Sequence, residues 1–190
     1  MKMIITVTFL GILMHAFAEE CELMQAAKDF DSEKYFSIRR AYAIYSKNGP
    51  KENVCRLYKT KKNSDDTPKT LVFEDYKNGE RPRKTLLECT NTPKTGSKGQ
   101  FDVECQDKRT NGTNKIQLET SVLATDNKSY VVLQRCSKTA TGNNTEDIVV
   151  LQRFKVGVEK GVEDYFDTQG WTFNKWISRE NANCVKELKL

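Results

Sequence analysis

A chain of 190 residues with 37% hydrophobic, 30% charged and 9% aromatic residues, 4 Pro and 10 Gly has the composition of a folded globular protein. Collagen-like and low-complexity classes are excluded. The formal charge of +5 comes from 31 basic residues set against 26 acidic ones. The basic clusters Arg39-Arg40, Lys59 to Lys62, Arg81 to Lys84 and Lys94 to Lys98 are interrupted by acidic residues and lack interleaved aromatics, so no nucleic-acid partner is expected; an anionic small molecule fits this balance better.

The first element is an export signal over residues 1–18. Lys2 gives a short positive start, Met3 to Met14 is apolar apart from two Thr, and Ala16-Phe17-Ala18 is a small-x-small cleavage pattern. Cutting there leaves 172 residues, one domain over 19–190, large enough to bury roughly 70% of its unfolded surface. The apolar run is too short to span a bilayer core of ~30 Å, and no later run approaches the ~20 apolar residues a spanning helix needs. A secreted monomer, free of membrane, is expected.

The single histidine, His15, lies within the signal. The mature chain therefore has no imidazole, which removes Ser-His-Asp and Cys-His nucleophilic sites, His-bound zinc and a proximal haem histidine. No pair of carboxylates stands out for glycoside hydrolysis either. The chain is read as no enzyme, without metal or cofactor.

Beyond the signal, strands are predicted at Ala41 to Ser46, Val54 to Thr60, Thr70 to Tyr76, Lys84 to Cys89, Gln100 to Cys105, Lys115 to Ala124, Tyr130 to Ser137 and Asp147 to Phe154. Turn residues punctuate them: Asn48-Gly49-Pro50, Asn78-Gly79, Asn111-Gly112, Asp126-Asn127 and Gly142-Asn143. Eight sequential strands with short connections predict an all-β, up-and-down antiparallel barrel around a small ligand chamber, with a two-sheet sandwich as the alternative. After Phe154 the apolar spacing turns helical, with Val158, Val162, Tyr165 and Phe166, then Phe173, Trp176 and Ile177 after Gly170. A C-terminal helical segment packing its aromatics on the barrel exterior is expected.

Six cysteines, Cys21, Cys55, Cys89, Cys105, Cys136 and Cys184, without a Cys-x-x-Cys spacing, read as three disulfides in an oxidising compartment. A hairpin around residues 91–99 would set Cys89 opposite Cys105; the other four are left for long-range bridges. Asn111, Asn127 and Asn143 begin N-glycosylation tripeptides in predicted loops.

Candidate ligand residues are cations set among apolar strand residues. Arg56 lies between Cys55 and Leu57; Arg135 follows Val131 and Leu133 at alternate positions, and Arg153 follows Val149 and Leu151. If those faces point inward, Arg135 and Arg153 meet in the chamber, where guanidinium geometry suits phosphate oxygens. Arg39 and Arg40 are placed at the barrel entrance, and Tyr42, Tyr58 and Tyr130 are candidates for stacking or hydrogen bonding.

Three stretches then act together: Glu20-Cys21, Phe30-Asp31-Ser32-Glu33-Lys34-Tyr35-Phe36, and Trp176-Ile177-Ser178 with Asn183-Cys184. With eight strands between them, the chain resembles the salivary lipocalins of blood-feeding triatomine bugs, the triabin and nitrophorin group. Tyr35-Phe36-Ser37-Ile38, residues 46–52 and Cys89-Thr90-Asn91-Thr92-Pro93-Lys94 look most like the platelet-aggregation inhibitors of that group. The resemblance implies a lipocalin barrel, disulfides Cys21 to Cys136 and Cys55 to Cys184, and sequestration of ADP or related adenine nucleotides in the cavity. It also leaves two alternatives: capture of an eicosanoid or a biogenic amine, or inhibition of coagulation through the barrel exterior. Where lipocalins carry Gly-x-Trp at the first strand, this chain has Ile38 and Ala41, implying a differently packed barrel floor. Haem carriage, as in nitrophorins, is not expected without a strand histidine.

Overall fold

The computed structural model describes residues 21–50, 54–62, 67–76, 83–109, 115–138, 145–179 and 182. The export signal, Asn111, Asn143 and Cys184 lie outside the described residues. Helix α1 (Ser32–Phe36) precedes strands β1 (Ala41–Ser46), β2 (Val54–Lys62), β3 (Pro68–Tyr76), β4 (Arg83–Pro93), β5 (Gln100–Asp107), β6 (Lys115–Thr125), β7 (Tyr130–Lys138) and β8 (Thr145–Gln152). Helix α2 (Lys160–Gln169), a 3-10 turn at Phe173–Lys175 and a two-residue β9 (Ile177–Ser178) complete the chain.

Each strand from β2 to β8 pairs antiparallel with the next, and β8 pairs with β1. The ring closes where Ala41 and Tyr42 pair with Tyr58 and Leu57. The far half of β1 pairs instead with β9, Tyr45 opposite Ser178 and Ser46 opposite Ile177. The architecture is therefore the expected eight-stranded barrel, with β9 along its seam. The second aromatic group, expected to be helical, becomes a 3-10 turn and this strand, because Ile177 and Ser178 pair with the edge that β1 leaves open.

Two apolar clusters explain two sequence patterns. The inner one gathers Ala41, Ala43, Val72, Phe101, Val103, Val131, Leu133, Val149 and Leu151 inside the barrel. The outer one places Ile44, Val132, Ile148 and Val150 against Val162, Phe166 and Trp176. Strands β7 and β8 lie between the two clusters, so Val131-Val132-Leu133 and Ile148-Val149-Val150-Leu151 run apolar without alternation. In β5, Phe101, Val103 and Cys105 are buried while Asp102 is exposed, giving the alternating pattern of a strand with one face toward solvent.

Helix α2 lies close to the wall because Gly161 sits on Tyr130: a Cβ there would stand 2.5 Å from the phenol oxygen. Gly170 ends the helix in the left-handed conformation, φ 64°. Phe166 then stacks on Phe173 at 4.2 Å and meets Trp176 at 4.6 Å between ring centres, so the C-terminal aromatics are packing groups, as expected.

The N-terminal segment is tied across β6 and β7. Cys21 is bonded to Cys136, Gln134 Oε1 accepts from Met24 N at 2.7 Å, and Ser121 Oγ donates to Met24 O at 2.8 Å. The chain then turns under the barrel into α1, which Asp31 caps by accepting from Lys34 N. The short helix brings Tyr35 and Phe36 against Phe101, with ring centres 6.3 and 5.4 Å apart, and closes this end of the barrel. Cys89 and Cys105 are direct cross-strand partners and are bonded, as the hairpin predicts. Cys55 is also disulfide-bonded.

Candidate functional site

The barrel interior contains a partly open cavity of about 90 Å³ counted as space for water centres, or about 830 Å³ counted as all atom-free space including solvent at its mouth. The smaller figure corresponds to roughly six to nine water positions. The walls are mainly apolar: Val72, Leu87, Val103, Val131, Leu133 and Leu151. The Cys89–Cys105 bridge is part of this wall. Tyr35, Ile38, Ala41 and Phe101 also line it, so the positions that depart from Gly-x-Trp help form the inner surface at the α1 end.

Strand alternation brings Tyr58 and Arg135 inside. On β7, Val131, Leu133 and Arg135 face inward; on β2, Tyr58 and Thr60 do. Arg135 Nη1 donates to Tyr58 Oη at 3.1 Å, and Nη2 donates to Asp147 Oδ2 at 2.8 Å. Asp147 is fixed from the other side by Ser46 Oγ and Asn48 N, each donating at 3.0 Å. The Arg135 Nε–H is buried with no hydrogen-bond partner among the described residues. A buried donor without an acceptor costs about 1–3 kcal/mol.

A second pair flanks the first. Arg56 Nε donates to Glu74 Oε1 at 2.7 Å, and Thr85 Oγ1 donates to Glu74 Oε2 at 2.9 Å. Glu74 lines the cavity. Glu74 and Arg135, the two charged residues among the described lining residues, therefore each already face an opposite charge. Sequence reasoning missed Glu74 and Asp147 as members of this group. Their signal was the cross-strand register, which sets Arg56 opposite Glu74 and Arg135 opposite Asp147.

Near the α1 end the Tyr35 phenol is also enclosed. Burial, reinforced by Tyr58, pushes its ionisation well above the ordinary tyrosine value of 10.0.

The remaining sequence candidates lie elsewhere. Strand β8 ends at Gln152, two residues earlier than expected, and Arg153 is exposed outside the barrel with its N–H donating to Ser129 O at 2.9 Å. The expected meeting of Arg135 and Arg153 is absent from the cavity lining. Arg39 and Arg40 lie at the end closed by α1, beside Asn127, Lys128 and Arg153, rather than at an entrance. Tyr42 and Tyr130 belong to the outer cluster around α2. Asn127 is in the β6–β7 turn, where its side chain accepts from Asp31 N and donates to Asp29 O.

Comparison with known proteins follows this geometry. The family profile described as Triabin matches residues 14–165. The chain belongs to the triabin family. It is 55% identical to pallidipin of Meccus pallidipennis over 185 residues, covering 97% of this chain and 98% of that protein. Dipetalodipin of Dipetalogaster maximus is 50% identical over 184 residues, with 97% and 100% covered. The platelet inhibitor triplatin-2 of Triatoma infestans is 47% identical over 190 residues, with 97% and 100% covered. Among solved structures, the amine binding protein of Rhodnius prolixus in its tryptamine complex superposes with a TM-score of 0.69 at 17% identity, covering 84% of this chain and 86% of that one. LTBP1 in its leukotriene C4 complex gives a TM-score of 0.59 at 18% identity, covering 77% and 84%. These two share the barrel fold with this triabin-family protein. No described helix is long and apolar enough to cross a membrane.

Proposed function

We propose that this triabin-family chain is exported after removal of residues 1–18 and acts as a salivary, monomeric scavenger that inhibits platelet aggregation. It captures one small agonist in the barrel and lowers its free concentration without turnover. The agonist class the lining supports best is an eicosanoid: an apolar chain ending in a single carboxylate. A relative from Triatoma infestans that carries the platelet-inhibitor name supports the physiological side of this reading. Barrels of this fold hold leukotriene C4 in one neighbour and tryptamine in another, so the side chains of the lining must discriminate.

The observation that carries the choice is the Arg135 guanidinium. It stands in the cavity wall beside the Tyr58 hydroxyl and apolar side chains, its enclosed Nε–H having no acceptor among the described residues. One carboxylate satisfies those donors. A biogenic amine would need a carboxylate to itself, yet Asp147 is bonded to Arg135 and Glu74 to Arg56. ADP, first choice from the sequence, needs a surplus of positive charge around its diphosphate. That reading has less support, because Arg135 is the one cation among the described lining residues and it already faces Asp147.

Isothermal titration with a stable prostanoid analogue, ADP and serotonin tests the assignment. Saturable heat at 1:1 with the prostanoid, and none with the other two, is expected. Saturation with ADP alone would restore the nucleotide reading. Silence with every small ligand, together with prolonged plasma clotting, would move the activity to the barrel exterior.

A further inference from the structure

The end of the barrel opposite the ligand's expected approach carries a second feature that the cavity does not use. Between α1 and β1, the β6–β7 turn and the segment after β8, a cleft of about 340 Å³ is lined by Arg39, Arg40, Lys128 and Arg153, with Asn127 and Phe154. No carboxylate is among its described lining residues. None of the four cations has an ion pair among the described residues, whereas lysines elsewhere on the barrel, such as Lys94 and Lys115, are paired. Two acidic groups beside the cleft, Asp126 and Asp31, are committed locally. Asp126 accepts from the N–H groups of Lys128, Ser129 and Tyr130 and from Ser129 Oγ, and Asp31 is bonded to Lys34.

Two of the most exposed large apolar residues adjoin this charge: Phe154, in the cleft wall, is 64% exposed and Val156, two residues on, is 76% exposed. They are presented rather than frayed. The loop that carries them is held by Gln152 Nε2, which donates to Phe154 O at 3.1 Å and to Gly157 O at 2.6 Å.

We propose that this end of the barrel docks on an anionic phospholipid bilayer, with Arg39, Arg40, Lys128 and Arg153 over lipid phosphates and carboxylates and with Phe154 and Val156 inserted at the acyl boundary. Charge alone would suit any polyanion; the paired exposed Phe and Val beside the cations are what favour a bilayer, where both components are satisfied together. The cleft and the cavity share Ile38 in their walls, while the four cations and Phe154 line the cleft alone, so the barrel can hold cargo while bound.

Sedimentation with sonicated vesicles tests this, using the chain secreted from insect cells and mass analysis of Asn127. Binding to phosphatidylserine-containing vesicles, little binding to pure phosphatidylcholine and weakening by salt are expected. Replacing three cations, Arg39→Gln, Arg40→Gln and Arg153→Gln, should lower partitioning roughly a hundredfold, because each cation near the surface contributes about fivefold. Phe154→Ser with Val156→Ser should lower it further at a salt concentration that suppresses the charge contribution. Circular dichroism and prostanoid titration check that the variants keep their fold. Equal binding to both vesicle types, no effect of the triple variant, loss through the cations with none through Phe154 and Val156, or a glycan on Asn127 standing in the cleft would each overturn the proposal.

Discussion

Tyr58 and Arg135, 77 residues apart in sequence, meet inside the barrel through a 3.1 Å hydrogen bond from Nη1 to the phenol oxygen. The contact joins β2 to β7 across the chamber and sets a polar group against a mainly apolar wall. It makes the interior amphipathic in the way that a carboxylated lipid is.

Arg135→Met should weaken prostanoid capture by about 1.5–3 kcal/mol, the range for hydrogen bonds to a charged group. Tyr58→Phe should cost less, about 0.5–1.5 kcal/mol. Titration calorimetry of the two variants checks both, and affinity unchanged in Arg135→Met would remove this residue from the site. Asp147 keeps Ser46 Oγ and Asn48 N as donors in the variant, which limits the damage to the fold.

The Arg56–Glu74 pair is largely buried, with side chains 8% and 12% exposed. Removing one partner strands the other charge, so Arg56→Ala should destabilise by about 3–5 kcal/mol in denaturant unfolding. The double replacement Arg56→Met with Glu74→Leu should come much closer to the parent. A double variant as unstable as the single one would contradict the pairing account.

The Cys89–Cys105 bridge closes a sequence separation of 16 residues. Chain-entropy reasoning gives about 3 kcal/mol for a loop of that size. Cys89→Ala with Cys105→Ala should lose that much in guanidinium unfolding and also widen the cavity, since both sulfurs stand in its wall. Retention of full stability would show that the β4–β5 pairing suffices alone.

Tyr35 makes stability fall in alkali. Its folded-state ionisation is raised above 10.0, so its contribution is fully present below pH 10 and is lost as the pH rises toward the folded value, the unfolded chain ionising first. Phenolate absorbance should reveal a tyrosine titrating late in the native protein and missing in Tyr35→Phe, whose unfolding free energy falls less steeply above pH 10. A native titration complete near 10 would contradict the burial of this phenol.

The barrel was legible because local rules and topology agree: every expected strand exists, with β1 at its expected bounds and β4 extended from Cys89 to Pro93. The Cys89–Cys105 bridge followed from one hairpin. What escaped was set by register and by ends. Glu74 and Asp147 look like surface carboxylates until strand pairing places arginines opposite them. Arg153 shares the parity of Leu151, but the strand stops first and Gln152 redirects the chain. Tyr42 and Tyr130 face the opposite side of the wall from Tyr58, and only the position of α2 makes that outer side a packed core. Helix α1 has a single turn and its Asp31 cap, too short a stretch for periodicity to reveal.

The most direct test is a crystal structure of the mature chain soaked with a stable C20 carboxylic prostanoid. The account predicts lipid density within the barrel, its tail along Val103, Leu133 and Leu151 and its carboxylate within hydrogen-bonding distance, about 2.7–3.2 Å, of the Arg135 guanidinium or the Tyr58 hydroxyl. Density bound to the barrel exterior, or a lipid reversed with its carboxylate in solvent and no acceptor at Arg135, would contradict it.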